Sequence, residues 1–135
     1  MHCRNLGGKL SPIPKSKSGT RQIVKRLSNN EHLGFLIDQK YNEGVAVNFF
    51  HAPAMVSTAY IQLAQKFDCP LIPAQIERVK GATFKVTIHP PMQTKGVSEE
   101  TLLTQTHIIL ENWIKARPEQ WLWLHRRWDS AKLEN

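Results

Sequence analysis

The densest chemistry in this 135-residue chain lies near its end. Residues 118–128 read PEQWLWLHRRW and bring Trp121, Trp123 and Trp128 together with His125, Arg126 and Arg127. Tryptophan is an apolar body with one polar edge, and arginine grips phosphate through a planar fork. The segment therefore suits a lipid headgroup layer or another anionic ligand. Large aromatics also close cores while neighbouring cations face water, and on chemistry alone the two readings stand level. Upstream, residues 32–39 (HLGFLIDQ) form a short apolar run ending in Asp38 and Gln39. That pattern predicts a buried strand, parallel in type, delivering a carboxylate at its carboxyl end, the edge where ligands gather in open α/β sheets. Six histidines are scattered along the chain, each a conceivable general base and each more often a surface or satisfied core residue. His51 stands slightly ahead, between Phe50 and Ala52 in an expected strand-to-helix turn.

The elements that must position these residues follow from periodicity. Residues 1–17 are basic and rich in Gly, Pro and Ser, which reads as coil. Residues 18–30 suit a helix with Ile23, Val24 and Leu27 on one face, ended by Asn29 and Asn30. Gly44 supplies a turn and residues 45–50 a second extended segment. Pro53 suits a first helical position, and residues 53–67 space Val56, Tyr60, Leu63, Ala64 and Phe67 at threes and fours. Residues 71–79 and 84–89 flank Lys80-Gly81-Ala82-Thr83 as an antiparallel hairpin. Ser98 caps a long helix with Glu99 and Glu100 in its first turn and an apolar stripe of Leu102, Leu103, Thr106, Ile109, Leu110, Trp113 and Ile114; Pro118 stops it. The order predicts an α/β fold, a mixed sheet of about four strands with flanking helices.

Bulk properties narrow the function classes. Hydrophobic residues at 41% and charged residues at 21% describe a globular chain. The formal charge of +7 favours an anionic partner, whether nucleic acid, anionic lipid or phosphorylated metabolite, without choosing among them. Cys3 and Cys69 are too few and too far apart for a metal site or a disulfide framework. No uninterrupted apolar run is long enough to span a bilayer, and the first residues lack the apolar core of a signal peptide. A Rossmann fingerprint, a P-loop, a zinc spacing and a nucleophile elbow are absent from the sequence, as are nucleic-acid-binding signatures, so nucleic acid is not expected as a partner and its stacking on the basic, aromatic tail stands only as a remote alternative.

Several local patterns, in order and spacing, resemble one family. GFLIDQ at 34–39, GVAVNFFHAPA at 44–54, LAQKFDCPLIPAQIER at 63–78 and ARPEQWLWLHRRW at 116–128 look like the C-terminal half of the lipid A biosynthesis acyltransferases. These are the late lauroyl and myristoyl transferases of Gram-negative bacteria, within the lysophospholipid acyltransferase superfamily. The resemblance covers nearly the whole chain and implies that residues 1–135 are the C-terminal part of such a domain. It implies an enzyme of lipopolysaccharide biosynthesis at the cytoplasmic face of the inner membrane. Such an enzyme moves an acyl chain from an acyl carrier protein thioester to a hydroxyl of a lipid A precursor, with no further cofactor and no metal. The family's base is a His followed after four residues by Asp or Glu, the carboxylate orienting the imidazole that deprotonates the acceptor.

The chain departs from that pattern. Five positions beyond the histidines stand Gly7, Ile37, Val56, Thr94, Asn112 and Ser130, none acidic, and the family's N-terminal membrane helix has no counterpart. The expectation is a truncated, inactive or split fragment with no catalytic residue of its own; in the split case a separate chain supplies the His-bearing half. A non-catalytic basic protein docked on anionic lipid is the alternative. What the resemblance carries over as substrate-binding is Asp38, Gln39, Phe49, Phe50, Pro53 and Arg78, with Trp121, Trp123, Arg126, Arg127 and Trp128 as membrane or phosphate contacts. A second departure is His51, where the family generally has Gly after the two Phe.

Overall fold

The computed structural model describes residues 12–13, 17–122 and 126–128. The chain divides into two compact units, Met1–Gly34 and Phe35–Asn135. The first holds helix α1, Lys17–Ser28. Its last turn carries Lys25 and Arg26, which suit the negative end of the helix dipole. Asn30, with φ 57°, reverses the chain, and Arg26 donates to Glu31 at 3.2 Å.

The second unit is α/β, with strands β1 Val45–Phe49, β2 Ala52–Val56, β3 Ala74–Lys80 and β4 Thr83–Ile88 and helices α2 Ala59–Lys66 and α3 Glu99–Ala116, followed by a short 3-10 turn, Pro118–Gln120. The four strands form two antiparallel pairs, β1–β2 and β3–β4, rather than one mixed sheet. Residues 32–39 are irregular, with a bend at Asp38 and Gln39, instead of the expected parallel strand. An extended segment becomes a strand only when a neighbour takes its backbone hydrogen bonds, and no described strand lies alongside. Phe35 and Leu36 are accordingly exposed.

The expected helix over 53–67 divides. Residues 53–56 belong to β2, which pairs with β1 in the register Phe49↔Ala52, Val47↔Ala54, Val45↔Val56, and the helix starts only at Ala59. The closing pair leaves a two-residue turn, Phe50–His51, with φ 51° and 64°. Two successive left-handed residues are the pattern of a type I′ hairpin, whose twist matches that of its strands. Pro53 sits opposite Asn48, one step from the closing pair, where its missing N–H withdraws nothing from the ladder. Val47, Phe49, Ala54 and Val56 then face inward onto Tyr60, Ile61, Leu102, Leu103 and Ile114. Gly44 is obligatory: a Cβ there would stand 1.8 Å from the carbonyl oxygen of Val56.

Helix α3 forms as its sequence expects, the Ser98 hydroxyl accepting from the Thr101 N–H at 3.1 Å. Within the core, Thr106 gives its hydroxyl proton to the Leu103 carbonyl at 2.9 Å, so the Tyr60 hydroxyl is the donor in its 2.7 Å bond to Thr106. The turn at His51 yields a direct test. A β-carbon in the left-handed region costs about 1–2 kcal/mol, partly offset by glycine's greater freedom in the unfolded chain. His51→Gly is therefore expected to stabilise the protein by about 1 kcal/mol, read as a shift in the urea midpoint at unchanged slope.

Candidate functional site

The residues singled out in the sequence converge on one phenylalanine. Phe49 is 0% exposed and is enclosed by aromatic rings from three parts of the chain. Trp128 stacks on it at 5.8 Å, while Phe50, Trp121 and His107 meet it edge-on at 4.8, 5.9 and 5.7 Å. Phe50 in turn stacks on Trp121 at 6.1 Å, and the Lys115 ammonium lies 5.4 Å over its ring. The Arg127 guanidinium stands 5.2 Å over Phe49, in the geometry that favours a cation against a π face.

Arg127 ties the tail to the remaining motifs. It is 3% exposed, and its Nη1 donates to the carbonyls of Gln39 at 3.1 Å and Met55 at 2.9 Å. One cation thus satisfies the bend that carries Asp38 and the strand that carries Pro53. Burial depresses the guanidinium's proton affinity, and the nearby Asp38 carboxylate restores part of it. Trp128 adds a second tie, its Nε1 donating to the Phe49 carbonyl at 2.9 Å. The expectation that Arg127 faces phosphate or a membrane surface is corrected by this burial: it points into the chain, and Arg126 is the exposed arginine of the pair. Trp121 and Trp128 are partly buried against the core. Trp123 and His125 lie outside the described residues.

The FF turn is held from α3 as well. Glu111 accepts from the Phe50 N–H at 2.7 Å and from Lys115 at 3.1 Å. Burial alone would raise its carboxyl, but the Phe50 N–H, Lys115 and the charge of His51 together bring it below the usual carboxylate range. The bond falls on the first of the two left-handed residues, where a fixed acceptor opposes the strain. Arg78 is not brought into this cluster. It lies on β3, its guanidinium 5.0 Å over Phe84 and its Nη1 on the Gly81 carbonyl at 3.2 Å.

His107 carries the polar group that the sequence reading undervalued. It is 1% exposed, with Nδ1 2.9 Å from the Leu103 carbonyl, which makes Nδ1 the protonated nitrogen and leaves Nε2 a bare, buried acceptor. Its position four residues after Leu103 and seven before Ile114 places it on the α3 stripe, and that spacing was the available signal. A ring so enclosed cannot take a proton from a solvent-borne hydroxyl. His32 and His51 are exposed, and no described histidine is ion-paired with a described carboxylate. Among the described residues, then, the cluster offers a placed carboxylate and an aromatic wall but no oriented base. It contains no group of side chains able to hold a metal, and no described helix is long and apolar enough to cross a membrane.

The family model for bacterial lipid A biosynthesis acyltransferases matches residues 4–130. The chain belongs to that family. Similar curated proteins include the lipid A biosynthesis palmitoleoyltransferase of Escherichia coli (strain K12) and a lipid A biosynthesis acyltransferase of Shigella flexneri. Each is 26% identical over 121 residues, covering 87% of this chain and 40% of the relative. The chain therefore spans about 40% of the length of these relatives. The motifs that marked the lipid A acyltransferase family in the sequence, DQ, FF–PA and the Trp-rich tail, are the ones that meet around Phe49.

Two outcomes follow from this packing. Arg127→Ala leaves the Gln39 carbonyl without its donor and the Met55 carbonyl with the Tyr41 N–H alone, and it uncovers Phe49; it should cost about 3 kcal/mol in urea unfolding. His107 titrates around 6.5 when unfolded, while in the folded chain burial, opposed by the Leu103 carbonyl and aided by Arg127, holds it lower. The unfolded state then binds the extra proton first, so stability is full above 6.5 and declines as pH falls below it. His107→Gln should remove that part of the decline, measured as the unfolding free energy against pH.

Proposed function

We propose that this chain supplies the DQ–FF–tail portion of an acyltransferase of lipid A biosynthesis, acting on a lipid A precursor with an acyl carrier protein thioester as donor. The observation that carries the reading is that Arg127 joins the carbonyl of Gln39, beside Asp38, to that of Met55 and lies over Phe49, which Phe50 and Trp128 also enclose. In this reading Asp38 and Gln39 face the acceptor headgroup, and Phe50 and Pro53 help form the wall against which the acyl chain lies. The oriented imidazole comes from a polypeptide carrying the His-x4-Asp/Glu motif, since acyl transfer to a hydroxyl needs a base within hydrogen-bond reach. Peripheral association with the inner-membrane face belongs to the same proposal, as the substrate is a lipid.

The test is acyl transfer followed by mass spectrometry of the lipid product. The purified 135-residue chain, given acyl carrier protein thioester and lipid A precursor, should yield no acylated product. Co-expressed with a family polypeptide that bears the His motif, it should. Turnover by the chain alone would show that it holds its own base and would overturn this division of labour. Absence of product from the pair would overturn the assignment of the activity to this chain.

A further inference from the structure

The β3–β4 hairpin is turned inside out. Pairing across it puts Ala74, Ile76 and Arg78 on one face with Ile88, Val86 and Phe84, and Gln75 and Glu77 on the other with Thr87 and Lys85. In a sheet packed on its own core the apolar face turns inward. Here the polar face does so: Glu77 is ion-paired to Arg117 at 3.1 Å, while Ile76, Val86, Ile88 and Phe84 are 68, 57, 64 and 52% exposed. Contiguous apolar surface of this kind marks an interaction site.

The backbone says what kind. Arg78 turns both its N–H and its carbonyl away from β4, onto the Gln120 carboxamide at 2.8 and 2.9 Å, so the outer edge of β3 is capped at Arg78, though not at Ala74 and Ile76. Arg78↔Phe84 is therefore a pair without mutual hydrogen bonds, and the His89 N–H on the Pro73 carbonyl at 3.0 Å sets the same phase from the other end. Phe84, Val86 and Ile88 consequently direct their own N–H and C=O groups outward along β4, and among the described residues nothing bonds to them. Lipid could cover the exposed side chains but could not hydrogen-bond the edge, and open sheet edges are not left in hydrocarbon. A strand meets both needs.

We propose that β4 is completed by a strand from the part of the family fold that lies outside these 135 residues, on whichever polypeptide carries it. The relatives have the length for it, since the aligned region is 40% of their chains. The proposal rests on family membership and not on activity, so an inactive pair leaves it standing.

The experiment co-expresses the 135-residue chain with the part of the Escherichia coli palmitoleoyltransferase outside the stretch aligned with it. Co-purification is measured, together with hydrogen exchange at the Phe84, Val86 and Ile88 amides. Capture with exchange slowed about tenfold or more is the expected result. Val86→Pro should abolish capture while leaving the hairpin intact, because the lost N–H is not used within it. Protection of the β3–β4 amides at Glu77 and Lys85 in the variant verifies that the hairpin is intact. Capture undiminished by Val86→Pro, or no capture at all, overturns the proposal. It is equally overturned if the chain alone is a dimer with protected β4 amides, which would make the occupant a second copy. Protection by anionic vesicles in place of the polypeptide would assign the face to lipid and also overturn it.

Discussion

A buried guanidinium over a buried ring governs this structure. Arg127 lies on the Phe49 face and spends one nitrogen on two carbonyls, of Gln39 and Met55, that belong to segments with no direct ladder between them. Trp128, Trp121 and His107 close round the same Phe49 ring. A charge-assisted bond at such a place is strong, and loss of the donor leaves the Gln39 carbonyl without its partner and the Met55 carbonyl with the Tyr41 N–H alone. The tail is thus a fastening for the Asp38 bend and the FF hairpin, and its conformation and theirs are set together.

The FF hairpin shows how a strained element is kept. Two side-chain-bearing residues in the left-handed region oppose folding, yet Glu111 accepts from the Phe50 N–H, Trp128 donates to the Phe49 carbonyl, and both Phe rings are stacked. Surrounding contacts over-determine the turn, as they must where backbone strain persists. The two hairpins differ in the same terms. The β1–β2 pair buries its apolar face under α2 and α3, whereas the β3–β4 pair presents its apolar face outward and is held through Arg117, Gln120 and the polar face. One hairpin is complete within the chain and the other is shaped to be covered.

Local rules read α3 correctly from Ser98 to Pro118, because cap, first-turn carboxylates and stripe all lie within a few residues of one another. They also read the β3–β4 hairpin around Gly81 and the helix over α1. They misread 32–39 and 53–56, where the same apolar run suits a strand or a helix and only a partner decides. Residues 53–56 became a strand because Phe50 and His51 reverse the chain and bring β1 alongside, and a turn with two non-glycine left-handed residues has no sequence signal of its own. His107 was legible as a stripe position but not as a neutral, buried acceptor, since burial is a property of what packs above it.

The sequence by itself determined the family and the identity of the motifs. Residue types at fixed spacings survive where the overall identity has fallen to 26%. It also determined which faces of the helices are apolar, through a period that depends only on helix geometry. Only the tertiary structure decided that Arg127 is an interior brace and Arg126 the exposed cation, for adjacent residues of the same type carry no local difference. Only it decided that the apolar face of β3–β4 looks outward. Alternation along a strand specifies that two faces differ, while the direction of each is set by long-range contacts, here Glu77 with Arg117 and Gln120 with Arg78.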